Sequence, residues 1–131
     1  MTLSVCLDRR NGISFNHRRQ SRDRAVLRDL ALPVYIDNCS ETLLTAENIP
    51  FLPAPADLTL LPPEGNFFLE ARSPETVVPL ARKVVIYRWN RHYPGDVYWN
   101  IDLEGRGFTL TEQTEFPGSS HQIITKEVYE R

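Results

Sequence analysis

The sequence predicts a single α/β domain, residues 1–131, built on a mixed, mostly parallel sheet flanked by short helices. Two observations predict it. Short apolar runs typical of buried strands alternate with segments whose apolar residues recur at helical spacing. One strand–helix–strand unit is also present in the second half, and such units are right-handed parallel crossovers. With 41% hydrophobic and 24% charged residues, 131 residues suit one globular domain with one core.

The first third of the chain contains two predicted strands and two predicted helices. Residues 3–7 read as a buried strand, and Asn11-Gly12 is a strong turn signal after it. A loop follows, and Ser21 is positioned to cap the first helix. Residues 34–36 form a second strand, and a short helix begins near residue 40. The apolar positions of the first helix are Val26, Leu27, Leu30 and Ala31, and Pro33 ends it.

The second half begins with a proline-rich crossover. Residues 45–65 hold five of the ten prolines, and proline cannot donate to a β-ladder, so ordered loop and edge strands are expected there. A third strand covers 67–70, a helix capped by the Ser73 hydroxyl runs to about residue 81, and a strand covers 84–87. The remaining predicted strands are residues 97–101, 108–111 and 123–129.

Several classes of protein are disfavoured by composition. No run of about 18 apolar residues exists to span a bilayer, and the early Asp8 and Arg9 do not suit a secretory signal, so a cytoplasmic location without a membrane partner is expected. Cys6 and Cys39 are interpreted as reduced, buried thiols. The three histidines are isolated in the sequence, and no metal site is predicted.

Positive charge is concentrated at the amino terminus. Residues 1–31 carry seven Arg and three Asp, a balance of +4, which leaves −6 for the rest of a chain whose net charge is −2. Such an excess attracts a phosphate-bearing ligand or RNA, or it forms an ordinary solvated surface. Because the chain as a whole is acidic, no nucleic-acid partner is expected.

Residues 16–23 are the densest polar segment, with no apolar residue in eight positions directly before a predicted helix. Arginine forms bidentate contacts with carboxylate or phosphate groups, so this segment is the preferred anion site. A Ser–His–Asp hydrolase using Ser119 or Ser120 with His121 is not favoured. Adjacent residues rarely present their side chains in nucleophile–base geometry, and no Gly-x-Ser-x-Gly segment is present.

The last third of the chain carries a family resemblance. The strand Val84-Val85-Ile86-Tyr87-Arg88, the turn Gly95-Asp96-Val97-Tyr98-Trp99-Asn100-Ile101-Asp102 and the two closing segments ending at Phe116 and Tyr129 resemble the carboxyl-terminal strands of the dihydrofolate reductase family. The resemblance extends, more weakly, over nearly the whole chain. It implies a dihydrofolate reductase-like fold that closes with an antiparallel hairpin.

The same resemblance implies candidate site residues. The family places a carboxylate at the start of its first helix beneath the pterin, and Asp23 is the counterpart here. Its role would be to hold a heterocycle and assist proton delivery, although an acid at a helix start also serves the helix itself. In the family, the loop before this helix meets the loop between the last two strands. The composite site would comprise Arg18, Arg19, Gln20, Ser21 and Asp23 with Ser119, Ser120 and His121, unless these polar loops only hold each other in place.

The cofactor positions are where the sequence departs from the family. Leu69-Glu70-Ala71-Arg72-Ser73 stands where paired glycines let a pyrophosphate approach the backbone. Asp37-Asn38-Cys39-Ser40 replaces the basic phosphate loop. NADPH binding in the usual manner is therefore disfavoured, and no cofactor is expected.

These observations predict a divergent dihydrofolate reductase-like protein that binds a small anionic or nucleotide-like ligand without the usual NADPH-dependent turnover. The alternative is an active, divergent reductase acting on a pterin-like or other heterocyclic substrate, with Asp23 as its acidic residue. A homodimer is compatible with either.

Overall fold

The computed structural model describes all residues from Met1 to Arg131 and contains ten strands and three short α-helices. The strands are β1 Thr2–Leu7, β2 Gly12–Phe15, β3 Arg18–Arg19, β4 Val34–Ile36, β5 Leu52–Pro53, β6 Asn66–Leu69, β7 Lys83–Arg88, β8 Val97–Tyr98, β9 Thr109–Phe116 and β10 Ile124–Glu130. The helices are α1 Arg24–Asp29, α2 Glu41–Ala46 and α3 Pro74–Val77, and 3₁₀ turns occupy Asn38–Ser40, Leu58–Leu60, Val78–Leu80 and Glu104–Arg106. None of the helices is long and apolar enough to cross a membrane.

Seven strands form the main sheet in the order β5-β4-β6-β1-β7-β10-β9. The pairs β4–β5, β4–β6, β1–β6 and β1–β7 are parallel, whereas β10 runs antiparallel to both of its neighbours, β7 and β9. The predicted mixed, mostly parallel sheet with a closing antiparallel pair is therefore confirmed. Strand β10 lies inside the sheet, between β7 and β9, and is therefore an integral part of it.

The two faces of the sheet carry separate cores because side chains alternate along each strand. On β1, the odd-numbered Leu3, Val5 and Leu7 pack with Val77 and Val78 from the α3 region. The opposite face carries Phe68, Val85 and Tyr87 from other strands, which pack with Val26 and Leu27 of α1 and with Leu30 directly after it. Helices α1 and α3 therefore cover opposite faces.

A crevice follows from the order of the central strands. The chain leaves β1 toward β4 on one side, and it leaves the adjacent β6 toward β7 on the other. In open α/β sheets, the place where neighbouring connections depart in opposite directions opens a crevice at the carboxyl ends of the strands. Here that place lies beyond Leu7 and Leu69, and the connections after β1, β4 and β6 border it.

A second, three-stranded sheet in the order β3-β2-β8 lies beside this crevice. Strands β2 and β3 pair through Phe15 and Arg18 around a two-residue turn, in which Asn16 and His17 have φ of 51° and 62°. Positive φ at both central residues is the geometry of a tight hairpin turn. The segment predicted as a loop is therefore a hairpin. The sequence did not predict this hairpin, because Asn-His is a weaker turn signal than Asn-Gly.

Four local predictions are corrected by the structure. Asp23, not Ser21, caps α1 by accepting a hydrogen bond from the Ala25 amide. The Ser73 hydroxyl makes no capping bond to α3. The strand expected over 97–101 is only Val97–Tyr98 and belongs to the small sheet. Neither cysteine is fully buried as predicted, because Cys6 is half-buried and Cys39 is exposed in a 3₁₀ turn, although both are unpaired.

Candidate functional site

A cleft of about 540 Å³ lies at the carboxyl ends of the central strands. It is lined by Ser14, His17, Arg18, Arg19, Cys39, Glu70, Ala71, Asp96 and Val97. Hairpin β2–β3 and β8 supply one wall, and the segments after β4 and β6 supply the other. Its volume is within the range of small-molecule sites.

An ion pair closes the inner wall of this cleft. Arg19 donates from Nε to Glu70 Oε2 at 2.6 Å and from Nη2 to the Cys39 carbonyl at 2.6 Å. The Ser40 hydroxyl also donates to Glu70. Burial alone would lower the pKa of Arg19, but the hydrogen bond and charge of Glu70 outweigh it and raise that pKa. The charge of Arg19 is therefore matched within the protein and is not free for a ligand.

Arg18 and His17 are the unmatched donors of the cleft. Both side chains are exposed, and neither forms an ion pair or a side-chain hydrogen bond. The nearby Asp96 carboxylate accepts the Asn16 amide at 3.0 Å, which ties the hairpin tip to the segment before β8. A ligand with an anionic group can thus meet a positive side chain without first breaking an internal contact.

Asp23 lies apart from the cleft, with only 2% of its surface exposed. Oδ1 accepts the amides of Ala25 and Ser119, each at 2.9 Å. Oδ2 accepts the amides of Ser120 at 3.0 Å and His121 at 3.1 Å. Burial would raise the pKa of Asp23, but the bonds from Ser119, His121, Ser120 and Ala25 outweigh it and hold the pKa well below its ordinary value. The ionised carboxylate therefore organises the loop before β10.

His121 is held from three sides. Its Nδ1 is 2.9 Å from Asp23 Oδ2, and its Nε2 is 2.7 Å from the Tyr93 hydroxyl and 3.3 Å from the Ser21 hydroxyl. The indole of Trp89 stacks on the imidazole with ring centroids 4.6 Å apart. Because an ionised carboxylate only accepts hydrogen bonds, Nδ1 carries a proton, and in the neutral imidazole Nε2 is then an acceptor.

A second buried carboxylate, Asp8, organises the other end of the same region. It accepts the amides of Arg10, Gly12 and Tyr93, and the side-chain amide of Gln20 at 3.2 Å. Burial opposes ionisation, but these hydrogen bonds outweigh it and lower the pKa of Asp8. Gln20 also donates to the Pro94 carbonyl, so its side chain joins the loops on either side of the small sheet.

Comparisons with known proteins bear on the fold. No family model matches the chain, and no curated protein matches it. Among solved structures, it is similar to a dihydrofolate reductase from Enterococcus faecalis complexed with NADP(H) and RAB-propyl. The TM-score is 0.66 over 99% of this chain and 95% of that one, at 9% sequence identity.

The chain has a dihydrofolate reductase-like fold. The family resemblance noted in the sequence is thereby confirmed at the level of fold, and an identity of 9% extends it no further. In this fold, Asp23 lies at the start of the first helix and Glu70 lies directly after β6. These are the positions that the family resemblance implied for the two residues.

This dihydrofolate reductase-like frame separates the predicted composite site into two groups. Arg18 and Arg19 line the cleft. Ser21, Asp23, Ser119 and Ser120 line a second pocket of about 530 Å³, and His121 lies buried behind it. The Gln20 amide lies between the groups, bound to Asp8 and Pro94. The roles assigned to these residues remain predictions.

Four residues of the region were not identified from the sequence: Asp8, Glu70, Trp89 and Tyr93. Glu70 was noted only as an obstacle to phosphate, yet its ion pair with Arg19 shapes the cleft. Tyr93 and Trp89 were assigned no role from the sequence, yet both contact His121. A usable signal existed for Asp8, because an Asp four residues before the Gly of an Asn-Gly turn can accept the turn's amides.

Little space remains between Asp23 and the cleft. The cavity there has a volume of about 20 Å³, and its lining includes Cys6, Gln20, Ser21, Glu70 and Trp89. That volume holds about one water molecule. A heterocycle could enter this part of the molecule only if the side chains around Gln20 and Trp89 moved.

Proposed function

We propose that this protein binds a small ligand through an anionic group in the cleft, without NADPH-dependent turnover of the usual dihydrofolate reductase kind. The ligand is nucleotide-like or another compound bearing phosphate or carboxylate. The observation that carries the proposal is the unmatched Arg18, with His17 beside it, in a cleft of about 540 Å³ at the carboxyl edge of the sheet. This edge is where open α/β sheets bind ligands.

The charge arrangement of the cleft favours an anionic group at one end only. Arg18 and His17 stand on the hairpin side together with Asp96, whose carboxylate accepts the Asn16 amide, whereas Glu70 stands on the inner wall with Arg19 bound to it. A phosphate placed near Glu70 would meet a carboxylate, and one placed near Arg18 would meet a guanidinium. The anionic end of the ligand is therefore assigned to the hairpin, and its remaining part to the wall formed by Ala71, Val97 and Ser14.

The contacts around Glu70 and Asp23 argue against usual NADPH chemistry. Side chains at Glu70 and Ala71 occupy the segment where a pyrophosphate would need bare backbone. Asp23 uses both oxygens for amides of its own chain, which leaves no free acceptor for a pterin. The proposal therefore includes no cofactor.

The alternative is a divergent reductase in which Asp23 is the acidic residue. One observation favours it: a buried, ionised carboxylate stands at the start of the first helix of a dihydrofolate reductase-like fold. Oxidation of NADPH in the presence of dihydrofolate, followed by absorbance, separates the two proposals. We expect no turnover above the rate without protein, and turnover that Asp23→Asn abolishes would establish the reductase instead.

A thermal-shift series tests ligand binding directly. The probes are ATP, GTP, NADPH, FMN, folate and inorganic phosphate, because a ligand at about 100 times its dissociation constant stabilises the native state by about 2.7 kcal/mol. We expect a phosphate-bearing or carboxylate-bearing probe to raise the unfolding temperature of the native protein. Arg18→Ala should abolish that rise.

Arg28→Ala is the matched control. Arg28 is exposed on α1, forms no ion pair and lines none of the pockets described above, so the substitution removes the same charge away from the cleft. It should keep the full ligand-induced rise. Equal loss in both variants would show general charge attraction, and a rise that survives Arg18→Ala would place the ligand outside the cleft.

A further inference from the structure

Ser21, His121 and Asp23 form a continuous chain of hydrogen-bonding atoms beside a pocket distinct from the cleft. The Ser21 hydroxyl is 3.3 Å from His121 Nε2, and His121 Nδ1 is 2.9 Å from Asp23 Oδ2. The pocket, of about 530 Å³, is also lined by Arg22, Arg91 and Tyr93, and we call it the arginine pocket. Neither Arg18 nor any other free donor of the cleft lines it.

The protonation states along this chain follow from its partners. Asp23 accepts backbone amides on both oxygens and stays an acceptor, so Nδ1 of His121 must donate to it. In the neutral imidazole, Nε2 then presents its lone pair to the hydroxyls of Ser21 and Tyr93. A nucleophile, a base and a group that orients the base thus stand in the order that serine hydrolases use, with the looser nucleophile–base distance common in unliganded sites.

We infer that Ser21 is a nucleophile activated by His121 and oriented through Asp23, and that the arginine pocket hydrolyses carboxylic esters whose acyl part carries an anionic group. Arg22 and Arg91 indicate the anionic group, because both are exposed and form no ion pair within the chain. Glu47, the other acid of the pocket, is already paired with Arg24 at 2.9 Å. This inference does not depend on the ligand of the cleft.

The reaction balances with water as the only co-reactant. Ser21 Oγ forms a bond to the ester carbonyl carbon while its proton passes to His121 Nε2, and Asp23 stabilises the resulting imidazolium. The carbon–oxygen bond to the alcohol breaks, and the alcohol leaves with the proton from Nε2. Water then attacks the acyl-serine, gives its proton to Nε2 and releases the carboxylic acid, and Ser21 recovers its proton.

Tyr93 controls access to the base. Its hydroxyl is 2.7 Å from Nε2, closer than that of Ser21, and the His121 side chain is only 1% exposed. The phenol therefore competes with the serine for the single lone pair of Nε2 in the resting protein. Removing the phenol leaves Ser21 as the remaining hydroxyl partner of Nε2.

Covalent labelling with an alkyl fluorophosphonate tests the nucleophile. The probe phosphonylates an activated serine with loss of fluoride, and intact-mass analysis followed by peptide mapping locates the adduct. We expect one adduct, on Ser21, absent from Ser21→Ala and retained in Ser73→Ala, whose exposed hydroxyl makes no capping bond. Tyr93→Phe should label several-fold faster than the native protein. Thermal unfolding of each variant verifies that it is folded.

The substrate class is tested with two activated esters, 4-nitrophenyl acetate and the mono-4-nitrophenyl ester of succinate. We expect the anionic succinate ester to be hydrolysed faster, and Arg91→Ala to remove the difference. Equal rates in the native protein would overturn the anionic class. Absence of an adduct in both the native protein and Tyr93→Phe, or an adduct that persists in folded Ser21→Ala, would overturn the assignment of Ser21.

Discussion

At the scale of single residues, two buried carboxylates account for the arrangement of the loops around both pockets. Asp8 and Asp23 are each at most 2% exposed, and each receives three or more amide hydrogens. A buried charge is tolerated only when it is hydrogen-bonded, so the loops must keep their shape for these carboxylates to stay ionised. The acidic residue that the family resemblance assigned to catalysis is thus also a structural centre of the site.

Asp23→Asn tests this structural role. The side-chain amide replaces one acceptor oxygen with a donor that would face the amide hydrogens of the loop, so we expect a loss of about 3 kcal/mol in the free energy of unfolding. Urea denaturation measures it. Glu64→Gln, an exposed acid with no hydrogen-bond partner in the chain, should change stability by less than about 0.5 kcal/mol. A loss for Asp23→Asn no larger than this control would contradict the structural role.

The family resemblance predicted part of the site and left the rest undetermined. Asp23 and the segment Ser119–His121 were expected to meet, and they do so through three hydrogen bonds donated by the segment's amides. Arg18 was expected to join them but lies in the cleft, because the hairpin turn at Asn16-His17 directs β3 away from that loop. A turn of this kind requires positive φ angles at both central residues, and the sequence Asn-His does not predict them.

At the scale of elements, the loop between β9 and β10 wraps around the Asp23 carboxylate, and glycine is needed where it turns. A Cβ built on Gly118 would lie 2.5 Å from Asp23 Oδ2 and 2.6 Å from the His121 carbonyl oxygen. A Cβ atom does not approach an oxygen so closely, and the backbone carbonyl cannot rotate away as a side chain can. The polar composition of residues 117–121 suggested a surface loop and gave no sign of this close approach.

Gly118→Ala should therefore disturb the loop and the carboxylate together. We expect a loss of stability of about 2 kcal/mol from overpacking, measured by urea denaturation. Gly95→Ala is the matched control, since its added Cβ would lie 3.0 Å from the terminal amide nitrogen of Gln20, which can move. Similar losses of stability in the two variants would show that the loop at Gly118 rearranges to accept a Cβ more easily than its contacts indicate.

At the scale of the whole molecule, the fold was more predictable than the site. Buried strands such as Leu3–Leu7 and Phe67–Leu69 are recognisable because burial on both faces of a parallel sheet requires continuous apolar runs. The antiparallel pairing of β9 with β10 was expected from the family resemblance and not from the pattern of these strands. The pairing of charges, by contrast, joins residues as distant as Arg19 and Glu70, and no local pattern encodes it.

The two buried carboxylates also contribute to how the whole molecule responds to acid. Their pKa values are lowered in the native state, because hydrogen bonds from neighbouring amides outweigh burial. In the unfolded chain, an Asp titrates near about 3.9. The unfolded state therefore binds protons first as the pH falls, and the stabilisation, fully present above about pH 4, is lost progressively below it.

We accordingly expect the free energy of unfolding, measured by urea denaturation, to be nearly constant from about pH 7 to pH 5 and to fall steeply below about pH 4. Asp8→Asn should lower stability at neutral pH and make the fall below pH 4 shallower, because one of the buried groups that link folding to proton release is gone. Glu64→Gln should leave the steepness unchanged. An equally steep fall in Asp8→Asn would mean that other carboxylates cause the acid sensitivity. It would also mean that the hydrogen bonds to Asp8 stabilise its ionised form no better than water does in the unfolded chain.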